Sequence, residues 1–476
     1  MTNSTRFSYR AAYTAMLAAV FLGGCHFAQY SAKPIDPAAI KFASNDPASE
    51  PFNQFLMNNG YTADRLPITR WGLDELTLCA LFFHPSLDVA RAQLRATESA
   101  ELTAAERPIP TLNGNVAHSN LANGDKSPSA FALSIDIPLE TSNKRDIRIE
   151  NARHLSQAAK LDIAQTAWQL RNQVAQTLNE YQFNQQQMQL LTEAQTRRLE
   201  IVAIHQKRVT LGAASNVELS TAKLQLQTAA SELTVVQQNK LVLLSKLASN
   251  LGLPLAKVTA MHLASDDNIQ QTLDKQIIPA DIQASALLNR LDIRIALEKY
   301  AAAEAKLKLE IAKQYPDIMI NPGYAYEYGD RIWSLGFSGL LTFLNKNKAG
   351  ISEATQLREV EAAQFTALQT KVIAEANIAN AEVMQARLTL DNQQQLLKQQ
   401  QSNSQRMSRK FSAGEIDRLE LAFAKLEDNL AEKNVALAYF QLKTAHTQLE
   451  NTLQEPLTTT DVNSTKLDLN GIKNEP

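Results

Sequence analysis

Glycine is scarce in this chain, with 15 among 476 residues, and so is proline, with 16. Neither interrupts the run from Leu139 to Leu211 or the run from Ala213 to Leu251. Aromatics make up only 6% of the residues, while Ala, Gln and Leu abound. That shortage argues against a thick mixed core and for long helices packed through small side chains. A net charge of −2 gives no electrostatic case for nucleic acid. Beyond the first residues no run of ~18 apolar residues occurs, so no transmembrane helix is expected in the mature chain. The seven histidines (26, 84, 118, 154, 205, 262, 446) are scattered and pair with no cysteine. No metal site and no cofactor is expected from that spacing. There is no nucleophile with a base, no Gly-rich phosphate loop and no paired carboxylates in a structured cleft, so the chain does not read as an enzyme.

The N-terminus carries an address. Arg6 and Arg10 precede an apolar stretch from Ala11 to Leu22, which is too short to span a membrane as a helix. Leu22-Gly-Gly-Cys25 follows and resembles a bacterial lipobox. Residues 1–24 are therefore expected to be a signal peptide and Cys25 the lipidated first residue. The alternative is a plain signal peptide with an incidental cysteine. With Cys25 acylated only Cys79 remains, placed among Leu76, Leu78, Leu81 and Phe82 as a small buried apolar side chain.

What the chain does have is a repeat. Leu211-Gly-Ala-Ala-Ser-Asn-Val-Glu218 sets a lone glycine between two long helical runs, which reads as a helix-to-helix turn. Ser215 and Glu218 form a capping box for the second helix. The arrangement returns at Ala413-Gly-Glu-Ile-Asp-Arg-Leu-Glu420, placing Gly414 on Gly212 and Asp417 on Ser215. After each turn, heptads of Leu and Ala run along the return helix: Leu219, Ala222, Leu226, Ala229 and Leu233 in one copy, Leu421, Ala424, Ala431, Val435 and Leu442 in the other.

Elsewhere the period changes to two. Phe131, Leu133, Ile135 and Ile137 alternate against Ala132, Ser134 and Asp136, and Leu112 and Val116 against Asn113 and Asn115. Ile318, Ile320, Tyr324 and Tyr326 alternate against Asn321, Gly323 and Glu327, and Trp333, Leu335 and Phe337 against Ser334 and Ser338. The expected organisation is a leader over 25–70, a first repeat over 71–254, a connector over 255–280, a second repeat over 281–456 and a flexible tail over 457–476. The strands are expected at about 111–120, 129–138, 318–328 and 331–343. Residues 26–70, with five prolines, read as an extended leader.

If the apolar strand faces meet lipid, every backbone group must be paired and the sheet must close on itself. Four strands make no open-bored barrel, since the smallest membrane barrels have about eight. Several copies must then share one barrel, and three copies of four strands give twelve. Tyr324, Tyr326, Tyr328 and Trp333 suit an interfacial aromatic girdle. Asp136, Asn321 and Glu327 should face the lumen. A small soluble sheet capping a coiled-coil stalk is the competing reading. If the helices prolong the barrel as a tube ending at the Gly turns, Glu415 and Asp417 would ring its aperture, and Arg409 and Arg418 could pair with them to hold it shut; alternatively Asp417 merely caps its helix and the rest are solvated.

The order helix, hairpin, long helix, Gly turn and return helix, twice over, resembles the TolC-type outer-membrane efflux proteins. Ile137-Pro-Leu-Glu-Thr-Ser-Asn-Lys-Arg145, Leu309-Glu-Ile-Ala-Lys-Gln-Tyr-Pro-Asp317 with Asn321-Pro-Gly-Tyr324, and Leu344-Asn-Lys-Asn-Lys-Ala-Gly350 bring it closest to the outer-membrane components of cobalt–zinc–cadmium efflux systems. One departure is that Leu341-Thr-Phe-Leu344 stands where a proline is usual. The resemblance implies a mainly α fold with a membrane β-barrel, trimerising into twelve strands and a twelve-helix periplasmic tunnel. It implies an outer-membrane, lipid-anchored location and a passive duct, for heavy-metal cations or alternatively for drugs or proteins. It further implies two partners, a periplasmic adaptor (membrane fusion) protein and an inner-membrane proton-driven pump of the resistance–nodulation–division type. Adaptor docking would fall on Leu211, Gly212, Ala213, Ser215, Ala413, Gly414, Glu415 and Asp417. A pore-less periplasmic adaptor or scaffold remains the rival from another class.

Overall fold

Two kinds of periodicity give two kinds of layer. In the computed structural model, which describes residues 28–35, 40–120, 127–264 and 281–457, long helices continue a small antiparallel sheet. The signal peptide, Cys25, part of the first hairpin loop, most of the connector and the tail lie outside the described residues. Met1–Ser44 and Asn45–Pro476 form separate units, and in the first Ile40–Ala43 makes a single helical turn.

The second unit contains α1 (Glu50–Asn58), α2 (Leu73–Phe83), α3 (Pro85–Ala105), β1 (Thr111–His118), β2 (Ser129–Leu139), α4 (Lys144–Thr210), α5 (Asn216–Leu251) and α6 (Leu255–Thr259). The second half follows as α7 (Ile282–Asn289), α8 (Leu291–Ala312), β3 (Ile318–Glu327), β4 (Asp330–Gly339), α9 (Lys348–Ser412) and α10 (Arg418–Leu453). With 67 residues α4 runs for about 100 Å, and α9 is nearly as long with 65.

Neighbour relations order these elements into a wall one element thick. The sheet runs β1-β2-β3-β4, all antiparallel. Next to it α4 packs on α3 and α8, and α8 on α9; towards the Gly turns α4 packs on α5 and α10, and α10 on α9. The wall therefore has two open edges, one formed by β1, α3 and α5, the other by β4 and α9.

The strand register divides the side chains by chemistry. Thr111 lies opposite Asp136, Ser134 opposite Gly323 and Gly323 opposite Ser334, so small and polar residues share one face. Leu133 opposite Tyr324, and Tyr324 opposite Trp333, belong to the other. Along β2 the apolar residues Phe131, Leu133, Ile135 and Ile137 are exposed while Ala132, Ser134 and Asp136 are half-buried. Phe131, Tyr324 and Tyr326 gather their rings, with Trp333 4.8 Å from Tyr324, on the exposed face.

Two expectations are corrected. Residues 45–70 are not merely an extended leader. Ser49-Glu-Pro51 starts α1, whose Phe52, Phe55 and Leu56 are buried against Trp71, α2, and the α4–α5 pair. Their positions at i, i+3 and i+4 put them on one helix face, and Phe52, Phe55, Tyr61, Trp71, Phe82, Phe83 and Tyr181 make this region rich in aromatic side chains. The fourth strand also stops at Gly339, short of Phe343, and Thr342–Leu344 turns instead. Gly339 lies opposite Ile318, the first residue of β3, so residues beyond it have no partner on that strand, and Thr342 instead donates its hydroxyl to the Gln314 carbonyl at 2.7 Å.

Candidate functional site

The two Gly turns are built alike. Gly212 and Gly414 adopt φ of 70° and 75°, and neither has an atom within 4 Å of a would-be Cβ. The glycine is required by backbone conformation alone. Ala213 donates its N–H to the Arg208 carbonyl at 2.7 Å, and Glu415 to that of Lys410 at 2.9 Å, closing both helices in the same manner. Ser215 Oγ accepts from the Glu218 N–H, and Glu218 Oε2 accepts from the Ser215 N–H, completing the capping box. Asp417 Oδ1 accepts from the Glu420 N–H at 2.9 Å and caps α10. Leu211 is 72% exposed and Val217 73%, so the first turn presents apolar surface.

The ion pairs differ from the expected pairing. Asp417 is held at 3.1 Å by Arg208 from the other hairpin, and Arg418 reaches Glu200 at 3.0 Å, again on the other hairpin. Arg409 takes part through its carbonyl, which accepts the Ala413 N–H. Sequence reasoning placed the partners within one turn because they are close in the chain. The actual partners are 209 and 218 residues apart and meet only because α10 packs on α4.

On the polar face of the sheet Asp136 is bracketed. Its Oδ2 accepts from Asn113 Nδ2 at 2.8 Å and its Oδ1 from Asn321 Nδ2 at 2.5 Å, joining β1, β2 and β3. Glu327 shares that face but sits at the other end of β3, opposite Ala130 and Asp330. The three residues therefore do not form one cluster.

A third feature was not anticipated. The sheet meets the helices at a junction where Lys144, only 6% exposed, donates from Nζ to the Tyr315 carbonyl at 2.6 Å and to Asp317 Oδ1 at 2.7 Å. Thr141 donates its N–H to the same carboxylate oxygen and its hydroxyl to the Pro316 carbonyl. Burial raises the Asp317 pKa, but Lys144 and the Thr141 N–H outweigh it and hold the carboxyl below its usual range. In the second repeat Asn347 binds both the carbonyl and the carboxylate of Glu310. All three segments that carried the closest family resemblance meet here; the contacts between the first and second span more than 170 residues, which no local pattern reveals, while Asn347 reaches Glu310 across 37.

Among the described residues no three His, Cys, Asp or Glu side chains gather where a metal ion could be held. None of the described helices is long and apolar enough to cross a membrane.

A one-element-thick wall of four strands continued by four long helices, folded back at two Gly turns, is the architecture of TolC-type outer-membrane channels. The outer-membrane channel OprN superposes with a TM-score of 0.68 at 17% identity, covering 91% of this chain and all of OprN. CusC, solved in a study of folding and transmembrane channel formation, gives 0.66 at 17% identity, covering 91% of this chain and 100% of its own. The open state of the Neisseria gonorrhoeae MtrE outer-membrane channel gives 0.64 at 18%, covering 81% of this chain and 89% of that one. Residues 80–253, most of the first repeat, match the family model described as outer membrane efflux protein, OEP. No curated protein sequence matches the chain. The family match and the shared fold together bear out the resemblance to the TolC-type outer-membrane efflux proteins.

Proposed function

We propose that three copies of this chain form the outer-membrane exit duct of a tripartite efflux pump that exports heavy-metal cations. The supporting observation is the sheet: its apolar face lies bare and, among the described residues, neither of its edge strands β1 and β4 has an outer partner. In lipid an unpaired edge costs several kcal/mol per backbone group, so the edge strands must find partners. Three sheets of four strands close that deficit in a barrel of twelve. The open edges of the helical wall carry their own bare apolar residues, Val217, Leu224 and Val235 on α5 and Ile378, Met384 and Leu388 on α9. Edge-to-edge contact would cover these and prolong the bore as a periplasmic tube.

In this reading Asp136, Asn321 and Glu327 wet the lumen, and Cys25 carries the lipid. The tip residues Leu211, Gly212, Ala213, Ser215, Ala413, Gly414, Glu415 and Asp417 meet a periplasmic adaptor, through which the duct joins an inner-membrane pump. The duct itself performs no chemistry and holds no metal; pump and adaptor choose the cargo. The metal assignment is supported by the sequence resemblance of the junction segments to the cobalt–zinc–cadmium type.

The test has two parts. Light scattering of the detergent-purified mature protein should give a trimer, and a monomer soluble without detergent defeats the duct. A deletion strain should lose resistance to zinc, cobalt, cadmium or copper; a strain sensitised only to drugs keeps the duct and moves its cargo.

A further inference from the structure

We propose that Lys348 is a clasp between copies, gripping the lead-in to β1 of a second copy as Lys144 grips the lead-in to β3 within one chain. The inference rests on the oligomeric reading above.

The two lysines occupy equivalent places. Each is the first residue of a long helix, α4 or α9, and each follows two consecutive left-handed residues: Ser142 and Asn143 at φ of 56° and 53°, Lys346 and Asn347 at 53° and 48°. Identical local backbone at a helix start launches the side chain in the same relation to the wall. Lys144 finds its acceptors in Tyr315-Pro-Asp317, the segment leading into the neighbouring strand β3. Lys348 follows β4, whose outer side has no strand beside it among the described residues, and it stands exposed.

The segment that would stand beside it in a closed sheet is the lead-in to β1, Arg107-Pro-Ile-Pro110 of a second copy. That segment is built as an acceptor. Pro108 and Pro110 have carbonyls but no N–H, so the stretch offers more acceptors than donors. The carbonyls of Pro108, Ile109 and Pro110 take no hydrogen bond among the described residues. Ile109 is 85% exposed, and beyond β4 Leu340 and Leu344 are 77% and 74% exposed, so bare apolar surface lies at both edges beside the two groups. An ammonium has three donors and suits a row of carbonyls better than any side chain that must also accept.

The two junctions are not equal. Asp317 supplies a carboxylate to Lys144, whereas its counterparts in the β1 lead-in, Ile109 or Pro110, have none. The seam between copies is therefore held by neutral acceptors, and is the weaker of the two junctions.

The experiment uses the full-length protein extracted from membranes. Lys348→Cys combined with Ile109→Cys is treated with a short bismaleimide and resolved in SDS after boiling. The expected result is a ladder of two and three covalently joined chains, absent from either single variant. In parallel, Lys348→Met should lower the temperature at which the oligomer dissociates in SDS, while Lys348→Arg, which keeps the donors on a bulkier head, restores part of it. Circular dichroism of Lys348→Met should be unchanged, since the site is exposed in the single chain. An oligomer that gives no ladder, or whose dissociation temperature Lys348→Met leaves unmoved, overturns the clasp. A wild-type protein that is monomeric in detergent overturns the oligomeric reading itself, and the two failures are thereby distinct.

Discussion

Arg208 and Asp417 meet at 3.1 Å across the two helical hairpins, joining the end of α4 to the start of α10. Both side chains are partly exposed, so the pair is worth at most ~1 kcal/mol to stability. Its consequence is positional, because with Glu200 and Arg418 it ties one Gly turn to the other. If separation of the turns opens the duct, Asp417→Asn should raise closed-state conductance in planar bilayers while keeping most of the helix cap. Asp417→Ala should do the same and also lose about 1 kcal/mol of cap stability. Conductance that stays at the wild-type level in Asp417→Asn and in Arg208→Ala would remove the gating role and leave Asp417 as a cap.

Replacing Gly212 or Gly414 by alanine forces a Cβ into the left-handed region without any clash against neighbours. The cost should be roughly 1–2 kcal/mol of backbone strain. Asparagine, which tolerates that conformation, should cost less. Thermal melts that rank the variants Gly above Asn above Ala at each turn would support this; alanine equal to glycine would contradict it.

His446 is buried in α10 at 2% exposure, and neither ring nitrogen has a partner among the described residues. Burial, and then repulsion from Arg387, bring its pKa down to about 4. Unfolding restores an ordinary value near 6.5, so the unfolded chain binds the extra proton first. Stability is therefore lost as pH falls from about 6.5 to about 4, by on the order of 3 kcal/mol at most. His446→Leu should flatten the melting temperature across that window. A wild-type profile that is already flat there refutes the argument.

Lys144→Met leaves the Tyr315 carbonyl and the Asp317 carboxylate without their shared donor. A loss of about 1–3 kcal/mol is expected, read as a lower melting temperature in detergent. Lys144→Arg should recover only part of it, because the buried site accommodates a compact ammonium donating at 2.6 Å and 2.7 Å. Full recovery by arginine would show that charge alone matters there.

The glycine spacing and the change from helical to alternating period were legible because both are local. Gly212 and Gly414 are dictated by φ, Ser215 and Asp417 by nearby N–H groups, and the strand faces by a period of two. The leader was misread because α1 has little length of its own and owes its place to Phe52 and Phe55 meeting α2 and Trp71. The end of β4 was misread because alternation continues to Phe343 while its partner strand begins at Ile318.

The sequence by itself determined that the chain is a twofold repeat of long helices and amphipathic hairpins. Such periodicities are written in neighbouring residues and need no distant contact. Only the tertiary structure decided that Arg208 holds Asp417 and that Lys144 holds Asp317. Those facts depend on which helix lies beside which, a choice fixed by packing between segments hundreds of residues apart.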